Sequence, residues 1–142
     1  MSDDPLRSVQ LTRLSKGRYE ARNARGVTLV LGQGDEDEDA FSPVELLLAA
    51  IAGCSAMDVD FITSKRAEPT RFEVSMTGDK IRDDLGNRLV DLLLAFDVAF
   101  PDDEGGRAAT DVLPRAAKTS HDRLCTVSRT IEVGTPIRVT VG

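Results

Sequence analysis

The run from Ser42 to Met57 constrains the fold more than any other part of the chain. Ser42 suits a helix N-cap, Pro43 suits the first helical position, and Glu45, three residues after Ser42, completes a capping box. The helix that starts there extends to about Arg66 and is apolar on nearly every side through Met57. Such a helix has no polar face to give to water, so it belongs at the centre of a fold, covered by a sheet and by other helices. Lys65 and Arg66 near its end complement the negative end of the helix dipole. Gly53 costs the helix roughly 1 kcal/mol relative to alanine. Either a close approach by backbone or ligand or simple tight packing accounts for it.

Around this helix the pattern is that of strands. Tyr19 and Ala21 alternate with Arg18, Glu20 and Arg22, which puts both arginines on one strand face. Val27, Leu29 and Leu31 alternate after an Arg25-Gly26 turn, making a hairpin. The acidic stretch from Asp35 to Asp39 has no periodicity and reads as a solvated loop; it lacks the acid spacing of a calcium-binding EF-hand. Beyond Glu68-Pro69, Phe72, Val74 and Met76 share one strand face, and Leu92, Leu94, Phe96, Val98 and Phe100 share the face of a longer strand. The segment Asp83 to Asn87 between them makes a hairpin loop. A second helix is predicted from about Arg107 to Leu124, with Pro114 expected to kink it or delay its start. A short helical turn near Cys125 and a last strand with Ile137, Val139 and Val141 close the chain. The class is α+β.

At 142 residues, a single domain over 1–142 is expected, long enough to bury a core. The net charge of −6 argues against non-specific nucleic-acid binding and against attraction to anionic membranes. The first five residues lack the basic start and apolar core of a signal peptide. The longest apolar stretch, Val44 to Met57, contains Glu45 and is followed by Asp58 and Asp60, which reads as too short and too interrupted to span a bilayer. A cytoplasmic location is therefore expected, in which cysteines stay reduced and available for chemistry.

The chain has two cysteines, Cys54 and Cys125, separated by 71 residues. That spacing excludes a local Cys-x-x-Cys motif, so the two act together only if the fold joins them. His121, the sole histidine, rules out a multi-histidine metal centre; it is either an ordinary surface histidine or a neighbour of Cys125, one helical turn away. Arg123 and Arg129 flank Cys125. The alternative for Cys54 is a small buried apolar residue.

The stretch Ser42-Pro43-x-Glu45-Leu46-Leu47-Leu48-Ala49-Ala50-x-x-Gly53-Cys54-Ser55-Ala56-x-Asp58-Val59, with a second thiol at Cys125-x-Val127, resembles the OsmC/Ohr family, in particular its OsmC-like, YhfA-type branch. The order of elements fits this family over nearly the whole chain. The resemblance implies an OsmC-like fold with antiparallel sheets around two long central helices, in an interlocked homodimer with a thiol site at each side of the interface. It also implies reduction of organic hydroperoxides by a cysteine pair, with Cys54 attacking the peroxide and Cys125 resolving the resulting sulfenic acid. An external dithiol, in some members a lipoylated protein, would then reduce the disulfide, with no metal or organic cofactor.

In peroxide-reducing members an arginine from the early strands activates the thiol. Arg18 is the first candidate for that role and Arg22 the second. The glutamate that holds the arginine directly follows the proline in those members, whereas here Val44 takes that place and Glu45 stands nine residues before Cys54. Nine residues turn an ideal helix through roughly 180°, so Glu45 faces away from Cys54; its capping role explains it without catalysis, and a catalytic role for Glu45 beside Cys54, Cys125 and Arg18 is the alternative. Asp58, four residues after Cys54, shares the thiol's helix face and would oppose its ionisation unless another partner holds it. The competing function is a non-catalytic dimer that binds a small apolar or electrophilic molecule, or senses oxidation through the same thiols.

Overall fold

A computed structural model describes residues 4–142. The chain divides into two compact units, one up to Leu47 and one from Leu48 onward. In the first, β1 (Val9–Ser15), β2 (Arg18–Asn23) and β3 (Thr28–Leu31) form an antiparallel meander in the order β1-β2-β3. Leu11 pairs with Ala21, and Tyr19 with Leu31. Gly26 turns the β2–β3 hairpin at φ 87°, a left-handed conformation that strains any residue with a Cβ. The acidic segment that follows is a loop, in which the Glu38 carboxylate accepts a bond from the Gly34 amide at 3.0 Å.

The predicted capping box forms as read. The Glu45 amide donates to Ser42 Oγ at 3.2 Å, and the Ser42 amide donates to Glu45 Oε1 at 2.9 Å. Helix α1 spans Pro43–Thr63, ending three residues before the expected Arg66, whose guanidinium instead donates to the Ile62 carbonyl. The buried residues of α1 are Ile51, Ser55, Val59 and Thr63, one stripe at a spacing of four, while Met57 and Phe61 are 62% and 67% exposed. The expectation of a helix covered all round is therefore not met by one chain. Among the described residues nothing lies within 4 Å of a Cβ placed on Gly53, so tight packing among them does not explain that glycine. The helix also runs on through Asp58 and Asp60, and by length and composition it is long enough to cross a membrane, contrary to the expectation from its apolar stretch alone. The central helix of a folded domain passes the same test of length and composition, and side-chain bonds join Ser55 and Asp58 of α1 to Ser120.

In the second unit, β4 (Arg71–Asp83) and β5 (Gly86–Ala99) form a long antiparallel hairpin with a two-residue turn at Asp84-Leu85. Phe72 pairs with Val98, Val74 with Phe96 and Met76 with Leu94, so the alternation read in the sequence builds one apolar face. Phe72 and Phe96 meet edge to face at 6.5 Å. The pairing shifts between Thr77 and Asp79, where Gly78 faces the two residues Asp91 and Leu92, with Asp91 at φ 52°. The bulge shifts the pairing beyond it, so that Asp79 meets Val90.

Helix α2 spans Glu104–Thr119, starting earlier than expected and running through Pro114. Asp103 caps it by accepting from the Gly106 amide at 2.7 Å, and its buried small residues Gly106, Ala109 and Ala116 seat the turns on either side of the proline. A firm cap and a packed face offset the one backbone bond that proline removes. The predicted end at Leu124 is replaced by a wider π turn, Ser120–Leu124, and then α3, Thr126–Glu132. The last strand does not form. Ile137, Val139 and Val141 alternate as expected but are 88%, 80% and 96% exposed, because alternation needs a neighbouring edge before it becomes a ladder and none among the described residues pairs with this segment.

Gly106→Ala tests the start of α2. Its Cβ would lie 1.7 Å from the Pro101 carbonyl oxygen, so urea denaturation should show a loss of several kcal/mol, of order 3 or more. Ser42→Ala should cost about 1 kcal/mol in the same assay.

Candidate active site

The fold brings the two thiols together. Cys54 lies half-buried on α1, and Cys125 is fully buried at the break between the π turn and α3. Cys125 is the N-cap of α3, with an extended backbone (φ −72°, ψ 100°), and its Sγ accepts from the Ser128 amide at 3.4 Å. The Val127 and Thr126 amides and the Cys125 thiol all act on the Cys54 sulfur, which places them beside it. The Ser128 amide thus bonds the Cys125 sulfur, and the Thr126 and Val127 amides of the same turn lie by that of Cys54. A helix start leaves these donors without backbone partners, which makes them available to sulfur.

Burial pushes the Cys54 thiol above its ordinary pKa. The Val127 amide pulls the other way, the Cys125 thiol adds to the rise through hydrogen bonding and charge, and the Thr126 amide opposes it. Since the net effect is upward, Cys54 is mostly protonated at neutral pH. The amides favour the thiolate but do not outweigh desolvation.

Asp58 does not act on the thiol as an unpartnered acid. Its Oδ2 accepts from Ser120 Oγ at 2.8 Å, and Ser120 Oγ in turn lies 3.0 Å from Ser55 Oγ. His121 does not contact Cys125. Its Nδ1 meets Asp122 at 2.9 Å and its Nε2 meets Glu132 at 2.7 Å, so both ring nitrogens are engaged by carboxylates. Arg129 pairs with Glu132 at 3.3 Å, and Arg123 is exposed. Arg18 lies on β2, where it forms a 3.8 Å pair with the exposed Asp39, and Arg22 pairs with Glu20 at 3.7 Å on the same strand. The Glu45 carboxylate is engaged by the Ser42 amide.

An apolar cavity of about 330 Å³ opens beside the thiol segment. Ile51 on α1, Met76, Leu94 and Phe96 on the hairpin, and Ile131 on α3 form most of its wall, with Ser128, His121 and Glu132 at its polar side. The sequence reading missed the α3 amides and the Ser120 junction. The available signal for the amides was a cysteine directly before a short helical segment, where an N-cap is expected. The Ser120 bonds join residues more than sixty positions apart, beyond any local pattern.

The His121 bridge makes stability depend on pH. The Asp122 hydrogen bond is the largest of the effects that raise the His121 pKa, and the Glu132 contact adds to it. The bridge therefore contributes fully below the unfolded-state value of about 6.5 and is lost as pH rises through the higher folded value. Denaturation midpoints should fall over that interval in the native chain, and His121→Gln should flatten the fall. Asp122, held down at about 2 chiefly by Lys118, contributes above the ordinary carboxylate range and loses that contribution only in strong acid.

The family model described as OsmC-like protein matches residues 34–140. Uncharacterised proteins of Mycobacterium tuberculosis and Mycobacterium bovis are 31% identical over 138 residues, covering 96% of each chain. An OsmC-like protein of unknown function from Vibrio cholerae superposes with a TM-score of 0.73 at 15% identity, covering 93% of this chain and 95% of the other. The organic hydroperoxide resistance protein OhrB of Bacillus subtilis gives a TM-score of 0.53 at 14% identity, covering 88% and 90%. The mixed α+β architecture is shared with these structures, and the chain belongs to the OsmC-like protein family.

Proposed function

We propose that the chain is a two-thiol peroxidase that reduces organic hydroperoxides in defence against oxidative stress. The observation that carries this reading is the meeting of Cys54 and Cys125 at the first turn of α3. The Cys54 thiolate attacks the distal peroxide oxygen, the O–O bond breaks, and the departing alkoxide takes a proton to leave as alcohol. Cys54 is then a sulfenic acid. The Cys125 sulfur attacks it, hydroxide takes a proton and leaves as water, and a disulfide closes. An external dithiol, such as a lipoyl group on a carrier protein, supplies the two electrons that restore both thiols.

The apolar cavity suits the organic part of such a peroxide better than it suits hydrogen peroxide. The similarity in fold to an organic hydroperoxide resistance protein supports the same reading. Ionising Cys54 requires a positive charge to offset burial, and Arg18 is proposed to provide it. Glu45, engaged in the capping box, is assigned to holding the helix start. The absence of the partner glutamate at Val44 is expected to make the enzyme slower than the hydroperoxide-resistance members.

Turnover of cumene hydroperoxide with a dithiol reductant tests this reading. Cys54→Ser should abolish turnover. Cys125→Ser should complete one reduction per chain and then stall with a trappable sulfenic acid. Arg18→Ala should slow the first step, with the loss recovered at higher pH. Full activity in Cys54→Ser would overturn the mechanism. Unchanged sustained turnover in Cys125→Ser would remove its resolving role.

We further propose that two chains pair through the exposed side of α1. Met57 and Phe61 lie there with most of their surface in water, and Gly53 leaves room for a close approach. The unpaired apolar segment at Ile137, Val139 and Val141 supports the same reading. Sedimentation should show a dimer for the native chain and a monomer for Phe61→Glu; a native monomer at micromolar concentration would contradict the pairing.

A further inference from the structure

Asp58 is the acid near Cys54 that the peroxidase mechanism leaves without a role. Its carboxylate accepts the Ser120 hydroxyl proton at 2.8 Å. A serine hydroxyl has one proton to give, so in the 3.0 Å contact between Ser55 and Ser120 it is Ser55 that donates. Ser55 is 1% exposed and Ser120 is fully buried, so these bonds are shielded from competing water. Ser55 directly follows Cys54. The Ser120 carbonyl accepts the Cys125 amide at 2.8 Å, closing the π turn, and the Ser120 amide is bonded to the last turn of α2. Ser120 thus joins the helix that carries Cys54 to the backbone of Cys125.

We propose that Asp58, acting through Ser120 and Ser55, is a positioning residue for the thiol pair: it holds the Ser120–Cys125 turn on α1 in the register that lets Cys125 meet Cys54. The carboxylate orients the Ser120 hydroxyl, and that orientation leaves an oxygen lone pair for Ser55. Two side-chain bonds then lock α1 to the turn at a point one residue from Cys54. Without the carboxylate, Ser120 no longer has a fixed donor direction, both bonds weaken, and the turn moves relative to the helix. The proposal rests on Cys54 and Cys125 forming a pair, and not on peroxide turnover.

The test is the equilibrium of the purified chain with oxidised and reduced dithiothreitol. The two thiols give two electrons and two protons to the oxidised reagent, which becomes the dithiol while Cys54 and Cys125 form one disulfide. The ratio of the two protein forms measures how well the fold aligns the sulfurs, whatever peroxides do. Asp58→Ala and Ser120→Ala should each shift this equilibrium toward the dithiol by about tenfold, the size expected for one buried hydrogen bond. Asp58→Asn keeps an oxygen acceptor and should stay within about twofold of the native chain. The double alanine variant should be no worse than either single variant, because both break the same chain of bonds.

Ser120→Ala removes both side-chain bonds without altering Asp58, and it carries the test if Asp58→Ala does not fold. Folded alanine variants with a native equilibrium would overturn the proposal. So would an Asp58→Asn as impaired as Asp58→Ala, since charge and not the hydrogen bond would then matter. Loss of the fold in both alanine variants would assign the bonds to the domain as a whole and overturn it as well. A native chain that forms no Cys54–Cys125 disulfide would contradict the thiol pair and this proposal together, whereas a native disulfide without peroxide turnover would contradict only the peroxidase reading.

Discussion

The i-to-i+5 backbone bond from Cys125 to Ser120 is the constraint on which the thiol site depends. Had α2 continued with ordinary four-residue bonds, Cys125 would be one more interior helix residue with its amide tied along the axis. The wider turn ends the helix, leaves Cys125 with an extended backbone and lets α3 begin at the next residue. A new helix start brings unpaired amides with it. Those amides, from Thr126 to Ser128, lie at the two sulfurs, so one local change in hydrogen bonding sets both the place of Cys125 and its polar surroundings. A π turn in the middle of a helical run is costly to maintain and is found preferentially at functional sites, in accord with this use.

The same geometry sets the chemistry's main difficulty. Burial favours the neutral Cys54 thiol, and a second thiol beside it adds to the effect, while two backbone amides only partly compensate. Such surroundings hold the thiol in its neutral form. The apolar cavity walled by Ile51, Met76, Leu94, Phe96 and Ile131 suits an uncharged organic molecule better than a small polar one.

Much of the fold was legible in the sequence. The Ser42–Glu45 capping box, the β2–β3 hairpin and the β4–β5 pairing are set by local chemistry and by period-two alternation, and they form as read. Features that depend on distant partners were not legible. Alternation at Ile137, Val139 and Val141 promised a strand, but a ladder needs an edge that local sequence does not specify. Pro114 argued for a late or kinked helix, and the cap at Asp103 with the packed face at Ala109 and Ala116 overrode it. At the site, two thiols in family-like segments were visible, while the bonding of Asp58 to Ser120 was not, because it joins segments sixty-two positions apart. His121 looked like a neighbour of Cys125 by spacing, yet the π turn changes the phase and gives its ring to Asp122 and Glu132.

The central claim is that Cys54 and Cys125 form one redox unit. A single-turnover reaction of the reduced chain with one equivalent of cumene hydroperoxide, followed by intact mass and peptide mapping, tests it most directly. The account predicts loss of two hydrogens per chain, a Cys54–Cys125 cross-link and one equivalent of cumyl alcohol, formed faster than free cysteine forms it under the same conditions. Oxygen adducts on Cys54 with Cys125 still free, or no reaction faster than that of free cysteine, would contradict it.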